Sequence, residues 1–334
     1  DTAGVEGLTY VWTPAQLRSV LGVADGDWAT ELFGVTEVGT FEHGTSVLRL
    51  PRDPDDWDRY RSVLRRLAGA RATRPQPGRD DKVVAAWNGL AVTALVEYAM
   101  CARALGDPAG APGDPAGAGA PAGLLADGLD PDAAGALAVS VGELLAGVHL
   151  VDGRLRRVSL AGAVGTPAGV LDDHGCVAEA FCALHQYTGD WRWLRLATGL
   201  LDVAVARFAD GAGGYFDTAD DAERLVARPA DRTDNATPSG TSALAAALTS
   251  AAALTGTVSY RELAVAALGT VAPIAARHGR MTGYACATAE ALLAGPAEIV
   301  VATMAGRDDP LVLAAWRRLP PGAVVVCGPP DAPG

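Results

Sequence analysis

A turn-and-helix signature occurs twice, 67 residues apart: Thr188-Gly189-x-x-x-Trp193-x-x-Leu196-Ala197 and Thr255-Gly256-x-x-x-Tyr260-x-x-Leu263-Ala264. Leu105-Gly106-Asp107 echoes the same turn more weakly. Each copy reads as a long apolar helix, a glycine turn and a return helix. Such αα-hairpins cannot bury their faces alone, so they stack on neighbours into a solenoid or a closed toroid. The helices are rich in alanine, which lets neighbouring helices approach closely. The repeat predicts an all-α fold of the α/α toroid type. Around it are expected short β hairpins and a small βαβ unit at the C-terminal end.

Three polar clusters interrupt the apolar runs, each just ahead of a helix. They are Asp80-Asp81-Lys82 leading to Trp87-Asn88-Gly89, Leu171-Asp172-Asp173-His174-Gly175, and Thr233-Asp234-Asn235-Ala236-Thr237-Pro238-Ser239-Gly240. Unpaired charge is costly to bury. Carboxylates and amides at repeated helix starts therefore suggest several helix N-termini aimed at one shared cavity.

The 334 residues are 49% hydrophobic, enough for a large core, and the net charge of −12 disfavours nucleic acid and anionic membranes as partners. Five cysteines occur without a C-x-x-C pair and with apolar neighbours, which reads as buried structural thiols in a reducing, cytoplasmic setting. No metal-ligand spacing and no phosphate-binding glycine loop is visible, so no metal and no cofactor is expected. The run Gly240–Val258 is mostly alanine and is not expected to span a membrane.

Along the chain, strands are expected over 8–12 and 46–50, with helices over 14–21, 28–33 and 55–70. Thr13-Pro14-Ala15-Gln16 has the form of a capping box with proline at the first helical position. Long helices follow over 83–105, 132–147, 172–188, 191–208, 238–254, 260–276 and 284–293. A hairpin is expected around Asp152-Gly153, and a strand at 213–217 pairs with 224–227. Thr237 reads as the N-cap of the 238–254 helix. The helical domain covers 1–296, with a mobile Ala/Gly/Pro loop at 106–123, and a βαβ extension covers 297–334.

Six motifs occur in order: Tyr10-Val11-Trp12-Thr13, Phe41-Glu42-His43-Gly44, Asp80-Asp81-Lys82 with Trp87-Asn88-Gly89-Leu90, Leu171-Asp172-Asp173, Gly214-Tyr215-Phe216-Asp217-Thr218, and Asp234-Asn235-Ala236-Thr237-Pro238-Ser239-Gly240. Together they resemble the C-terminal region of thioredoxin-domain proteins related to spermatogenesis-associated protein 20, including the bacterial YyaL type. The resemblance implies a six-hairpin α/α barrel, similar to that of N-acylglucosamine 2-epimerases and six-hairpin glycosidases. It also implies a thioredoxin-like domain ahead of the barrel in full-length relatives. This chain carries neither that domain nor its cysteine motif, so no redox chemistry transfers, and the ring need not be complete.

Hydrolysis or epimerisation of a sugar needs carboxylates placed across the reacting bond. Asp81, Asp173 and Asp234 are the candidate catalytic residues. Trp87, Asn88, Asp172, His174, Asp217, Asn235 and Ser239 are the candidate substrate contacts, with Trp87 to stack on a sugar face and the amides to bond hydroxyls. Three readings follow. One is a carbohydrate-active barrel of the epimerase or hydrolase type with a small carbohydrate ligand. Another is a non-catalytic scaffold for a thioredoxin-like domain or protein partner. The third is a solenoid that binds other proteins.

Overall fold

The computed structural model describes residues 4–106 and 129–330. Two compact units divide at Asp80 and Asp81. Apart from Gly106, the loop expected at 106–123 lies outside the described residues, as does the end of the expected 297–334 extension.

The first unit holds helices α1 (Pro14–Leu21), α2 (Val23–Leu32) and α3 (Trp57–Ala72). The capping box forms: Thr13 Oγ1 accepts from Gln16 N, and the Gln16 side chain accepts from Thr13 N. Trp12, Leu17, Leu32, Phe33, Val63 and Leu67 make its core. The expected strands at 8–12 and 46–50 reduce to one bridge between Trp12 and Ser46. Arg74 explains part of this. Its guanidinium lies 3.8 Å over the Trp12 ring and donates to the Thr9 and Val11 carbonyls, occupying acceptors a partner strand would need.

The second unit is built from helical hairpins. It begins with strand β1 (Val83–Val84) and helix α4 (Ala85–Gly106), then α5 (Pro131–Leu144), whose last turn widens into a π-helical turn ending at His149. Strands β2 (Leu150–Val151) and β3 (Arg154–Leu155) form a hairpin whose turn residues Asp152 and Gly153 both take positive φ, as a type I′ turn requires. Strands β4 (Val158–Leu160) and β5 (Ala163–Val164) join β1 in an antiparallel sheet of order β1-β4-β5. Helices α6 (Leu171–Thr188), α7 (Trp191–Phe208), α8 (Gly240–Thr255), α9 (Val258–His278) and α10 (Gly283–Ala294) follow. The chain ends in a βαβ unit. Strands β6 (Glu298–Ala302) and β7 (Val324–Gly328) pair in parallel, with α11 (Pro310–Trp316) as the crossover.

The repeat seen in the sequence is the hairpin turn. Gly189 ends α6 and Gly256 ends α8, both left-handed at φ 72 and 67, where glycine carries no Cβ penalty. Four helices, α4, α6, α8 and α10, pack side by side in chain order. Helices α5, α7 and α9 lie behind them as the return arms. This is the inner and outer layering of an α/α toroid, and the fold is all-α of that class. Helix α6 is buried nearly all round, including the polar residues Asp173, His174 and His185. Stretches Ala85–Gly106 and Pro131–His149 are long and apolar enough to cross a membrane by length and composition. Within this fold α4 packs along α5 and α6, with a third of its apolar window buried.

Glycine sets the inner spacing. A Cβ on Gly89 would sit 2.6 Å from the Cys176 carbonyl oxygen, and one on Gly175 would sit 2.6 Å from the Ala243 backbone. Helices α4, α6 and α8 therefore touch backbone to backbone near their N-terminal ends. Three local expectations fail. Segment 213–217 forms no ladder with 224–227, keeping a single bridge from Tyr215 to Ala209. Arg228 stacks on Phe216 and donates to the Thr218 and Arg207 carbonyls instead. Helix α8 starts after Ser239, not at Pro238, because the Ser239 hydroxyl accepts from Ser242 N and completes the cap. The cysteines are all free, but Cys101 and Cys286 are exposed and only Cys176 and Cys182 are fully buried.

Candidate functional site

The second and third polar clusters meet where the inner helices begin. Asp173, fully buried at the start of α6, accepts from Ala86 N at the start of α4 (2.9 Å) and from Val170 N (3.0 Å). Its outer oxygen also accepts from Arg157 Nη1 at 2.9 Å. Burial first, then the neighbouring Asp172, pushes its pKa up to about 6 against the pull of Arg157. Asp234 does the same job one helix on. It accepts from Ser239 N before α8 and from Tyr284 N and Ala285 N at the start of α10. Both residues satisfy amides that helix starts leave without partners. Sequence reasoning assigned Asp234 and Ser239 no capping work, yet both cap.

Asp172, Asp217, Asn235 and Ser239 meet at one polar cavity of about 280 Å³, with Arg157 on its wall. Asp172 accepts from Arg157 Nη1 at 3.1 Å. Asp217 accepts from Asp231 N, and its pKa is raised, by burial first and then by the nearby charges of Asp231 and Asp172. The Asp217 carbonyl accepts from Leu171 N, which fixes this segment to the start of α6. Sequence reasoning missed Arg157. It sits just ahead of β4, and its carbonyl accepts from Ala85 N, so one residue joins the small sheet, α4 and the carboxylates.

The other candidates lie elsewhere. Asp81 and Trp87 are exposed, and neither lines a described cavity. Asn88 donates to the carbonyl of Val84, in β1 just ahead of its own helix. His174 is buried against Phe208, with ring centroids 4.9 Å apart, and Nδ1 lies 2.9 Å from Val170 O. Burial pushes its pKa down to about 4, so it stays neutral at ordinary pH.

A second and larger cavity, about 490 Å³, opens among the four inner helices. Its lining begins one turn beyond the glycine contacts, at Thr93, Glu179 and Ala246, where the helices part. The segment from Trp316 to Val324 closes one side. Glu97 and Glu179 both line it, with Tyr284, and none of the three was singled out from the sequence. Glu179 Oε1 accepts from Ser250 Oγ at 2.8 Å, while Oε2 is buried without a partner. Burial pushes the Glu179 pKa up to about 7 and raises those of Glu97 and Tyr284. A signal existed: Glu179 is the one charged residue between Asp173 and His185 in a helix apolar on all sides.

Inner and outer helices with a polar rim and an acidic lumen define an α/α hairpin domain of the toroid class. No protein-family profile matches the chain. The chain is similar to spermatogenesis-associated protein 20, as its motifs implied. It is 27% identical to the mouse protein (Mus musculus) over 279 residues, 71% of this chain and 32% of that protein. The rat protein (Rattus norvegicus) gives 27% over 294 residues, 75% and 34%, and the human protein 27% over 279 residues. The chain thus spans about a third of the length of these relatives. A cellobiose 2-epimerase from Spirochaeta thermophila overlays with a TM-score of 0.38 at 16% identity, over 59% of this chain and 44% of that one. An overlay of that size leaves the fold to rest on the helices themselves.

Proposed function

We propose that the domain binds a carbohydrate-like, polyhydroxylated ligand in the rim cavity at the starts of α6 and α8. The observation that carries this reading is the meeting of Asp172, Asp217, Asn235 and Ser239 with Arg157 around one hollow. Carboxylates, an amide and a guanidinium together offer acceptors and donors in the density that vicinal hydroxyls use.

If the bound sugar reacts, two of the three carboxylates on this wall, Asp172 and Asp217, have unlike environments, the third, Asp231, being engaged by Thr233. Asp172 is paired with Arg157, while Asp217 is pushed toward its protonated form. A carboxylate held by a guanidinium beside one whose pKa is raised is the kind of asymmetry that hydrolase or epimerase chemistry uses. Asp173 and Asp234 would then position the rim, because their oxygens are engaged by backbone amides.

Titration calorimetry with glucose, mannose, N-acetylglucosamine and cellobiose tests the reading. Saturable binding of at least one, weakened tenfold or more in Asp217→Asn, is expected. A folded protein that binds none of them, or a variant that binds as well as the wild type, removes it. The non-catalytic scaffold for a thioredoxin-like partner domain would then stand.

A further inference from the structure

The lumen shares no lining residue with the rim cavity, and its chemistry differs. Its lining carries two carboxylates among several hydroxyls, with Arg317 the one cation among the described residues there. Glu179 reaches in from α6 and Glu97 from α4, and the charge of Glu97 is felt at Glu179. Among the described residues no cation pairs with either. Glu179 Oε2 is cut off from solvent and accepts no hydrogen bond. An orphaned buried acceptor of this kind costs on the order of 1–3 kcal/mol, more when charged. The segment after α11 adds apolar lining from Trp316, Leu319 and Pro320, with Arg317 among them.

We infer that the lumen is a binding site for a small alkylammonium ligand, its charged head on Glu179 and Glu97 and its hydrocarbon body against Trp316 and Leu319. An ammonium carries three donors and no acceptor. One answers Glu179 Oε2, another Glu97, and the Ser250 hydroxyl lies beside them on Glu179 Oε1. An anion would meet two like charges. A neutral alcohol could supply a donor to Oε2 but would leave both charges uncompensated in a partly dry cavity.

The groups facing Glu179 are Glu97 and Cys101 from α4, Tyr284 from α10 and Arg317 after α11, with only hydroxyls and alanine from α8. Cys101 and Tyr284 are raised above their ordinary values, so neither titrates between pH 6 and pH 8. The Arg317 Nε donates to the Ala104 carbonyl. Glu97 is the one group that could titrate alongside Glu179, and Glu97→Gln separates the two.

The test is calorimetry at pH 8 with n-butylammonium chloride and with 1-butanol, on wild type, Glu179→Gln and Glu97→Gln. The amine is expected to bind saturably, and the alcohol at least tenfold more weakly. Glu179→Gln should lose tenfold or more, and Glu97→Gln a smaller factor. Lowering the pH to 6 should weaken the wild type roughly tenfold, because Glu179 is then mostly protonated, and Glu97→Gln should keep a pH dependence moved to lower pH, because a charge that raises Glu179 is gone. Equal binding of alcohol and amine overturns the inference, as does wild-type affinity in Glu179→Gln or no amine binding at all. If Glu179→Gln does not fold, the pH 6 to pH 8 comparison on wild type decides, and an unchanged affinity overturns the inference.

Discussion

The rim and the lumen both hold carboxylates, but in opposite states. At the rim, Asp173 and Asp234 have their oxygens filled by backbone amides from neighbouring helices. In the lumen, Glu179 keeps one oxygen with no partner, and Glu97 lines an open wall. The contrast shows how one fold separates two uses of negative charge. Acids next to helix starts join elements, and acids in mid-helix are left for whatever enters the space between helices.

The largest expected effect tests the joining role. Asp173→Ala removes the acceptor for two helix starts and one of the two carboxylate partners of Arg157, and should cost about 3–5 kcal/mol in urea unfolding. A loss below 1 kcal/mol would erase the distinction between rim and lumen. The lumen should give the reverse sign. Glu179 holds its proton up to about pH 7 in the folded protein against an ordinary 4.5. The stability this group contributes in acid is therefore lost as pH rises from 4.5 through 7, by up to about 3 kcal/mol. Glu179→Gln should escape that loss, so its advantage over wild type grows across this window in denaturation curves. A constant gap between the two proteins from pH 5 to pH 8 would contradict the burial of this carboxylate.

The third test concerns the boundary between the regions. Gly175→Ala places a Cβ 2.6 Å from the Ala243 backbone. It should cost about 1–3 kcal/mol through forced separation of α6 and α8. Native-state hydrogen exchange should locate the loosening in these two helices. The smallest effect belongs to Trp87, exposed by 61%. Trp87→Ala should change stability by less than about 0.5 kcal/mol and leave saccharide binding in place.

The sequence carried the hairpins well, because their signal is long and local. The glycine stops at 189 and 256 and the helices after them were legible from spacing alone. The rim was half legible. Clustered Asp and Asn ahead of apolar runs announce helix starts, but which acid caps and which faces a cavity depends on neighbours far along the chain. Asp173 reaches Ala86, and Asp234 reaches Tyr284, and no local pattern encodes such pairs. Arg157 escaped notice because a lone arginine beside short strands looks like surface. Glu97 and Glu179 escaped for the same reason, since a single glutamate in a helix ordinarily marks a wet face. Only the burial of every other side of α6 makes Glu179 unusual.

The crossover between α11 and β7 supplies one wall of the lumen, including Pro320 and Pro321. The Gln186 side chain, at the far end of α6, accepts from Val325 N and pins that crossover in place. The segment from Trp316 to Val324 is thus a door panel on the chamber. A protease cut between Trp316 and Val324 would leave the hairpins standing and the chamber unwalled, so occupancy would vanish well before the helices melt.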